Sequence, residues 1–211
     1  MMADPFTTFT AIAAPLEMSN VDTDQIMPAR FMRRPRDERY AEYGFHDVRF
    51  TPDGAKRDDF VLNRAPFDRA GILVAQRNFG VGSSREAAVY ALLALGIRAV
   101  VAESFGDIFF SNALKNGLLP VRLPAEACAS LRAKLLAEPG TELTVDLPHD
   151  ALRLPDGTAH AFSIPGFARD CLLRGLDEIG LTFTLVAEIE AFEAARERHL
   201  AATRRGGRAA P

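Results

Sequence analysis

The segment Gly80-Val81-Gly82-Ser83-Ser84-Arg85-Glu86 combines small, hydroxyl and charged residues in an order that suits an anion site. Its two glycines let the backbone turn tightly and keep Cβ atoms away from a bound group. The helix predicted to follow presents unpaired N–H groups and a partial positive charge, and Arg85 adds a fork of donors that matches a carboxylate. These groups would stabilise a serine alkoxide, so a serine here could act as a base or a nucleophile.

The same residues also allow a purely structural interpretation. Ser83 and Glu86 have the S-x-x-E spacing of a capping box, in which the serine caps a helix and the glutamate reaches back to it. Other known sites are excluded: Arg85 stands where a dinucleotide fingerprint needs glycine, and the Gly-Lys-Ser/Thr of a phosphate loop is missing. Nor is Ser83 in the Gly-x-Ser-x-Gly elbow of a hydrolase. Capping and catalysis both remain open for this segment.

A second candidate lies in residues 20–28, where Asp22 and Asp24 are two positions apart. Paired carboxylates at this spacing can hold a cation or a helix N-terminus, or orient an arginine, and isolated ones are typical turn formers. The four histidines show no metal-ligand spacing. The two cysteines, Cys128 and Cys171, cannot build a four-thiolate zinc or iron–sulfur site.

The elements that must position these residues alternate between strands and helices. Apolar runs predict strands at 71–75, 99–102 and 118–121, separated by helices at 87–95 and 108–116. This spacing implies parallel strands with right-handed crossovers, covered by helices. An early strand is predicted within 5–18. The last third predicts helices at 125–138, 167–176 and 186–200, and strands at 141–147 and 159–164.

Composition limits the function classes. The 211 residues carry a net charge of −3 and suit one domain, here placed at 1–200, with a long, mobile loop at 30–59 and a disordered tail at 201–211. The near-neutral balance argues against a nucleic-acid binder. Gly96 and Arg98 interrupt the longest apolar stretch, so no membrane span is predicted. No secretory signal is visible, and a cytoplasmic setting is expected.

Several segments occur in one order that resembles a known family: 20–26, 78–86, 104–109, 116–120 and 175–182. Together they resemble the small subunits of 3-isopropylmalate dehydratase, in the aconitase superfamily, over about residues 6–195. The resemblance implies an α/β fold, a three-layer β/β/α swivelling domain with a mainly parallel sheet. It also implies a hydro-lyase that interconverts 2-isopropylmalate and 3-isopropylmalate in leucine biosynthesis by removing and re-adding water.

Roles for individual residues follow from the same resemblance. Ser83 matches the base that takes the carbon-bound proton, and Arg85 matches a ligand of a substrate carboxylate. The remaining substrate-binding residues that it implies are Asp22, Thr23, Asp24, Ser84 and an arginine of the following loop. That arginine is taken as Arg30, although the motif does not distinguish it from three further candidates, Arg33, Arg34 and Arg36.

The resemblance places no cofactor on this chain. It implies that a [4Fe-4S] cluster, with its three cysteines, lies on a separate large subunit that forms a heterodimer or heterotetramer with this one. The cluster would accept the departing hydroxyl as a Lewis acid. The resemblance thus predicts that neither subunit alone completes the site, and it predicts no nucleic-acid or membrane partner.

The chain departs from the family pattern in three places. Val81 stands where the motif usually has cysteine, Ala87 where it has histidine, and residues 43–50 form a shorter segment than usual. That segment lies near where the family recognises the side group of the substrate. Two alternatives therefore stay open: a paralogue acting on another 2-hydroxy di- or tricarboxylate, of the citramalate, homocitrate or dimethylmalate type, and a non-catalytic interaction module on the same scaffold.

Overall fold

A computed structural model describes residues 5–206, which are organised around a seven-stranded mixed sheet. The strands are β1 (Thr8–Pro15), β2 (Ile72–Val74), β3 (Ala99–Ala102), β4 (Leu119–Arg122), β5 (Glu142–Asp146), β6 (Ala151–Arg153) and β7 (Ala159–Ala161). The helices are α1 (Thr23–Ile26), α2 (Tyr40–Tyr43), α3 (His46–Arg49), α4 (Ala87–Ala94), α5 (Asp107–Lys115), α6 (Ala125–Ala137), α7 (Gly166–Arg174), α8 (Glu178–Phe183) and α9 (Val186–Gly206).

The sheet changes character at β1. Strands β1 to β4 lie side by side and are parallel, whereas β5, β6 and β7 continue from the other edge of β1 as antiparallel neighbours. The parallel half has its helices in the crossovers, and the antiparallel half is joined by short connections. The predicted α/β class is confirmed, and the parallel arrangement holds on the side of the sheet that carries the predicted site.

Two hydrophobic cores cover the parallel strands. Leu73 and Val100 belong to a core shared with α4, whereas their neighbours Ile72 and Val101 belong to a core shared with α6. Successive side chains of a strand point to opposite faces of the sheet. Because both faces are covered, these strands read as continuous apolar runs rather than as alternating patterns. Among the described residues, no helix is long and apolar enough to cross a membrane.

The structure confirms every helix and strand predicted between 71 and 138, with ends that differ by at most one residue. Beyond residue 138 it adds two elements that the sequence did not predict, β6 and α8. Strand β6 has three residues and α8 has six, which is too short for a clear periodicity. Helix α9 runs to Gly206, into the stretch predicted as a tail, and residues 207–211 lie outside the described part.

The predicted loop at 30–59 contains two short helices, α2 and α3, that the sequence did not predict. Tyr40 and Phe45 are buried, and the Phe45 N–H donates to the carbonyl of Ile26 at 2.8 Å. Arg49 is buried beneath the loop and donates to the carbonyls of Ala41 and Gly44, and burial lowers the pKa of its guanidinium. The loop is therefore anchored to the core by its own side chains, while its mobility stays a prediction.

Gly80→Ala is expected to destabilise the fold by about 2 kcal/mol more than Gly96→Ala. Both glycines have positive φ angles, +73° and +86°, so both variants carry backbone strain. A Cβ on Gly80 would also overlap the ring of Phe109, whereas a Cβ on Gly96 meets nothing within 4 Å. Urea unfolding of the two variants measures the difference, and equal losses of unfolding free energy would contradict this account.

Candidate active site

The two sequence motifs with candidate residues lie side by side. Residues 80–86 connect β2 to α4, and a parallel bridge joins Val81 to Asp22. The Gly80 N–H donates to the carbonyl of Val21 at 2.7 Å, and the Thr23 N–H donates to the carbonyl of Val81 at 2.9 Å. Backbone hydrogen bonds thus fix residues 20–28, the early motif, against residues 80–86, the central turn. The side chains of the two segments therefore meet.

Thr23 positions the backbone of Ser83. Its hydroxyl donates to the carbonyl of Ser83 at 3.1 Å, and its own side chain is buried, with 1% of the residue exposed. The side chains of Ser83 and Ser84 are exposed. Among the described residues, neither serine hydroxyl makes a hydrogen bond, so both are free to contact a ligand.

The capping box predicted at Ser83 and Glu86 is wrong. Helix α4 begins at Ala87, Glu86 occupies its N-cap position, and no described side chain caps it. The carbonyl of an N-cap residue normally accepts the first bond of the helix, but the carbonyl of Ser83 is taken by Thr23. This contact keeps Ser83 outside the helix.

A capping box is present instead at the start of α1. One carboxylate oxygen of Asp22 accepts from the N–H groups of Asp24 and Gln25 at 2.8 and 2.7 Å, and the side chain of Gln25 accepts from the Asp22 N–H at 3.0 Å. Holding a helix N-terminus was one of the roles left open for Asp22. Asp22 therefore shapes the early motif.

A row of peptide N–H groups is left without partners at the start of α4. Among the described residues, the N–H groups from Ser83 to Ala87 donate to no carbonyl and to no side chain. The N–H groups of Glu86, the N-cap residue, and of Ala87, the first residue of α4, lie at the positive end of the helix dipole, and those of Ser83, Ser84 and Arg85 lie in the turn before it. Such a row can bind a carboxylate through several hydrogen bonds at once.

Arg85 is paired with Asp24 across the same site. One terminal nitrogen of the guanidinium donates to Oδ1 of Asp24, and that oxygen also accepts from the Ala29 N–H at 2.8 Å. The Arg85 side chain is 20% exposed and that of Asp24 is 56% exposed. Asp24 fixes the orientation of the guanidinium through a single nitrogen, and the other donors of Arg85 remain available to a ligand.

The loop arginines differ in what they contact. Both terminal nitrogens of Arg30 donate to the carboxylate of Asp47, one of them at 2.8 Å, and Nδ1 of His46 lies 3.4 Å from the second nitrogen. The hydrogen bond raises the pKa of Arg30 and lowers the pKa of Asp47. Arg36 lies over the ring of Tyr90, 3.5 Å from its centroid. In the described part of the chain, no side-chain partner is recorded for Arg33 or Arg34.

The sequence analysis missed a polar cluster beside the central turn. Nδ2 of Asn78 donates to Oδ1 of Asn20 at 2.8 Å, and the hydroxyl of Ser104 donates to Oδ1 of Asn78 at 3.0 Å. Both asparagines have φ angles above 50°. Asn20 and Asn78 each stand at the start of a segment named above, 20–26 and 78–86. This position could have indicated a turn with left-handed backbone, which asparagine tolerates.

The residues of this chain do not fit an iron–sulfur cluster. Cys128 lies on α6 and Cys171 on α7, and both are buried. Burial raises the pKa of the Cys128 thiol to about 11, so it stays protonated at neutral pH and is a poor metal ligand. In the part of the chain that the structure describes, no three His, Cys, Asp or Glu side chains form a metal-binding group.

Comparisons with known proteins agree on one family. Residues 3–126 match the Aconitase C-terminal domain. The chain is 49% identical to the 3-isopropylmalate dehydratase small subunit of Gluconacetobacter diazotrophicus over 92% of this chain and 94% of the relative. It is 42% identical to that of Brevibacillus brevis over 92% of this chain and 100% of the relative.

A solved structure agrees as well. The crystal structure of 3-isopropylmalate dehydratase from Methanocaldococcus jannaschii superposes with a TM-score of 0.61 and 27% identity. The match covers 88% of this chain and 99% of that one.

Proposed function

Since this chain belongs to the family of 3-isopropylmalate dehydratase small subunits, we propose that it supplies one half of the active site that interconverts 2-isopropylmalate and 3-isopropylmalate. One observation carries the proposal. The exposed hydroxyl of Ser83 lies in the same turn as the free N–H row and the guanidinium of Arg85. A base and a set of donors that can bind a carboxylate lie within one turn. This arrangement suits the removal of a proton from a carbon next to a carboxylate.

Binding comes first in the proposed reaction. A substrate carboxylate accepts hydrogen bonds from the N–H groups at the start of α4 and from the donors of Arg85 that Asp24 leaves free. Thr23 holds the Ser83 carbonyl and thereby fixes where its side chain starts. The substrate is held so that one carbon-bound hydrogen faces Oγ of Ser83.

Proton transfer follows. Ser83, as an alkoxide stabilised by the positive end of α4 and by Arg85, takes the proton from carbon, and the electron pair of that bond forms the double bond. The hydroxyl leaves from the adjacent carbon and takes up a second proton from solvent, so that it departs as water. A [4Fe-4S] cluster, which we propose lies on the large subunit, would supply Lewis-acid chemistry for that hydroxyl. Re-addition of water with the two carbons exchanged, and return of the proton from Ser83, gives the isomer.

The partner in this proposal is a cluster-binding large subunit, in a heterodimer or heterotetramer. Support comes from the names of the relatives, which are small subunits, and from the poor fit of the two cysteines of this chain to a cluster. A cytoplasmic setting fits the buried free thiols, which a reducing compartment maintains.

The purified chain is expected to be inactive alone and to gain isopropylmalate isomerase activity when mixed with a cluster-loaded large subunit. The first half-reaction is measured as formation of the unsaturated intermediate, which is detected by its absorbance in the ultraviolet. The large subunit alone is the control. A complex that forms but turns over no hydroxy acid would contradict the proposal and favour an interaction module.

A second candidate function is the same reaction on another 2-hydroxy di- or tricarboxylate. It is favoured by the ion pair between Arg30 and Asp47. Asp47 lies in the shortened segment 43–50, and it binds an arginine that was expected to contact the substrate. The reconstituted complex should therefore also be assayed with citramalate, homocitrate and citrate. A higher kcat/KM for one of these than for isopropylmalate would establish the alternative.

A further inference from the structure

The segments 78–86 and 116–120 meet at a hydrogen bond that the proposed reaction does not use. Nδ2 of Asn116 donates to Oε1 of Glu86 at 2.7 Å and also to the carbonyl of Asn112 at 2.8 Å. Asn116 is the C-cap residue of α5, and Glu86 directly precedes α4. The bond therefore ties the end of α5 to the start of α4, directly beside Arg85.

The direction of the Glu86 side chain is the informative feature. A glutamate three residues after a serine commonly turns back and accepts from the N–H of that serine, as in a capping box. Here that acceptor would take up the Ser83 N–H, which is the first of the free row. The carboxylate instead accepts from Asn116, on the side towards α5.

Glu86 is thus an internal competitor for the anion site. Its carboxylate belongs to the same chemical class as the proposed ligand, and it is tethered within the same turn, so its effective concentration there would be high. Tyr90, one turn along α4, lies close to the same carboxylate: burial and then Glu86 raise the pKa of its hydroxyl. Of these two neighbours, Asn116 donates the hydrogen bond, at 2.7 Å, that holds the Glu86 carboxylate on its present side.

We propose that Asn116 is a positioning residue that holds the Glu86 carboxylate away from the Ser83 N–H and so keeps the anion site open for substrate. The inference rests on the proposed function for its consequence in catalysis. It differs from a merely structural role in a measurable way. A purely structural asparagine would lower stability when removed and leave KM unchanged, whereas release of Glu86 raises KM, and removal of Glu86 as well reverses that rise.

The first experiment uses the reconstituted complex with isopropylmalate. Asn116→Ala is expected to raise KM about tenfold with little change in kcat, because Glu86 then competes with the substrate carboxylate. The double variant Asn116→Ala/Glu86→Ala is expected to return KM to near the wild-type value. Asn112→Ala, on the same helix, is the matched control and should leave KM unchanged. Asn116→Asp, which keeps the shape of the side chain and repels Glu86, repeats the test if the alanine variant folds poorly.

The second experiment needs no activity and therefore separates this inference from the proposed function. Hydrogen exchange of the free chain is expected to slow at the Ser83 N–H in the Asn116→Ala variant and to return to the wild-type rate in the double variant. An unchanged KM together with unchanged exchange overturns the inference, as does a raised KM that Glu86→Ala does not restore. If the wild-type complex turns over no substrate, the proposed function fails and the exchange result still decides the role of Asn116.

Discussion

Ser83→Ala is expected to lower the kcat of the reconstituted complex by about 10²–10⁴-fold, the usual contribution of a positioned general base. The variant removes the hydroxyl that takes the carbon-bound proton and leaves the peptide N–H row in place. KM should therefore change little. The measurement is steady-state turnover of isopropylmalate with a fixed excess of the large subunit.

The matched control for this experiment is Ser84→Ala, which removes the neighbouring exposed hydroxyl. Its effect on kcat should be much smaller if Ser83 is the base. Stability provides a second control, because Ser83 caps no helix in the structure. Loss of a cap would cost about 1 kcal/mol of unfolding free energy, so we expect Ser83→Ala to unfold at the wild-type urea concentration. Normal turnover in Ser83→Ala would eliminate this serine as the base.

Arg85→Lys is expected to lower kcat/KM about 100-fold, mainly through KM. Arginine can pair with Asp24 through one nitrogen and still offer its remaining donors to a substrate carboxylate. Lysine keeps the charge but is a compact ammonium on a flexible stem, so it cannot hold both partners in the same geometry. The measurement is the substrate dependence of turnover in the reconstituted complex.

Asp24→Asn is the companion variant for Arg85→Lys. It keeps the shape of the side chain and removes the charge that orients the guanidinium, so a smaller rise in KM is expected. Wild-type kinetics in both variants would show that this ion pair does not prepare Arg85 for substrate.

The central strands and helices could be predicted because their sequence signals are local. The run 71–75 is apolar without alternation, and it forms a strand buried on both faces, with Leu73 in one core and Ile72 and Val74 in the other. Gly96 ends the following helix with a φ of +86°, as its position after the last apolar residue predicts. Strand β6 and helix α8 lacked such signals because each is shorter than two full periods, so that no pattern repeats within it.

The site could be predicted in its parts but not in its contacts. Ser83 and Arg85 stand in a recognisable motif, whereas the contacts of Thr23 with Ser83 and of Asp24 with Arg85 span 60 and 61 residues. No periodicity carries that information. The choice between capping and catalysis for Ser83 stayed open in the sequence for the same reason, since the contact of its carbonyl with the Thr23 hydroxyl and the start of α4 at Ala87 appear only in the fold.

The loop was the least predictable region. Its composition indicates an irregular segment, but the chemistry of each arginine depends on which side chain lies nearby in space. Arg30 meets Asp47 and Arg36 meets Tyr90, and neither pairing follows from sequence spacing. The roles of these arginines in substrate binding stay predictions.

The unpaired N–H row at the start of α4 has a consequence for what can change in this site. Peptide N–H groups do not titrate near neutral pH, and no substitution other than one by proline removes them. The part of the binding affinity that these N–H groups contribute thus depends on the backbone of the turn. It is the same for every acid that has a carboxylate at this position. Discrimination among hydroxy acids must then come from the side chains around the row. A variant library aimed at a new substrate should therefore vary residues 30–50 and leave 80–87 unchanged.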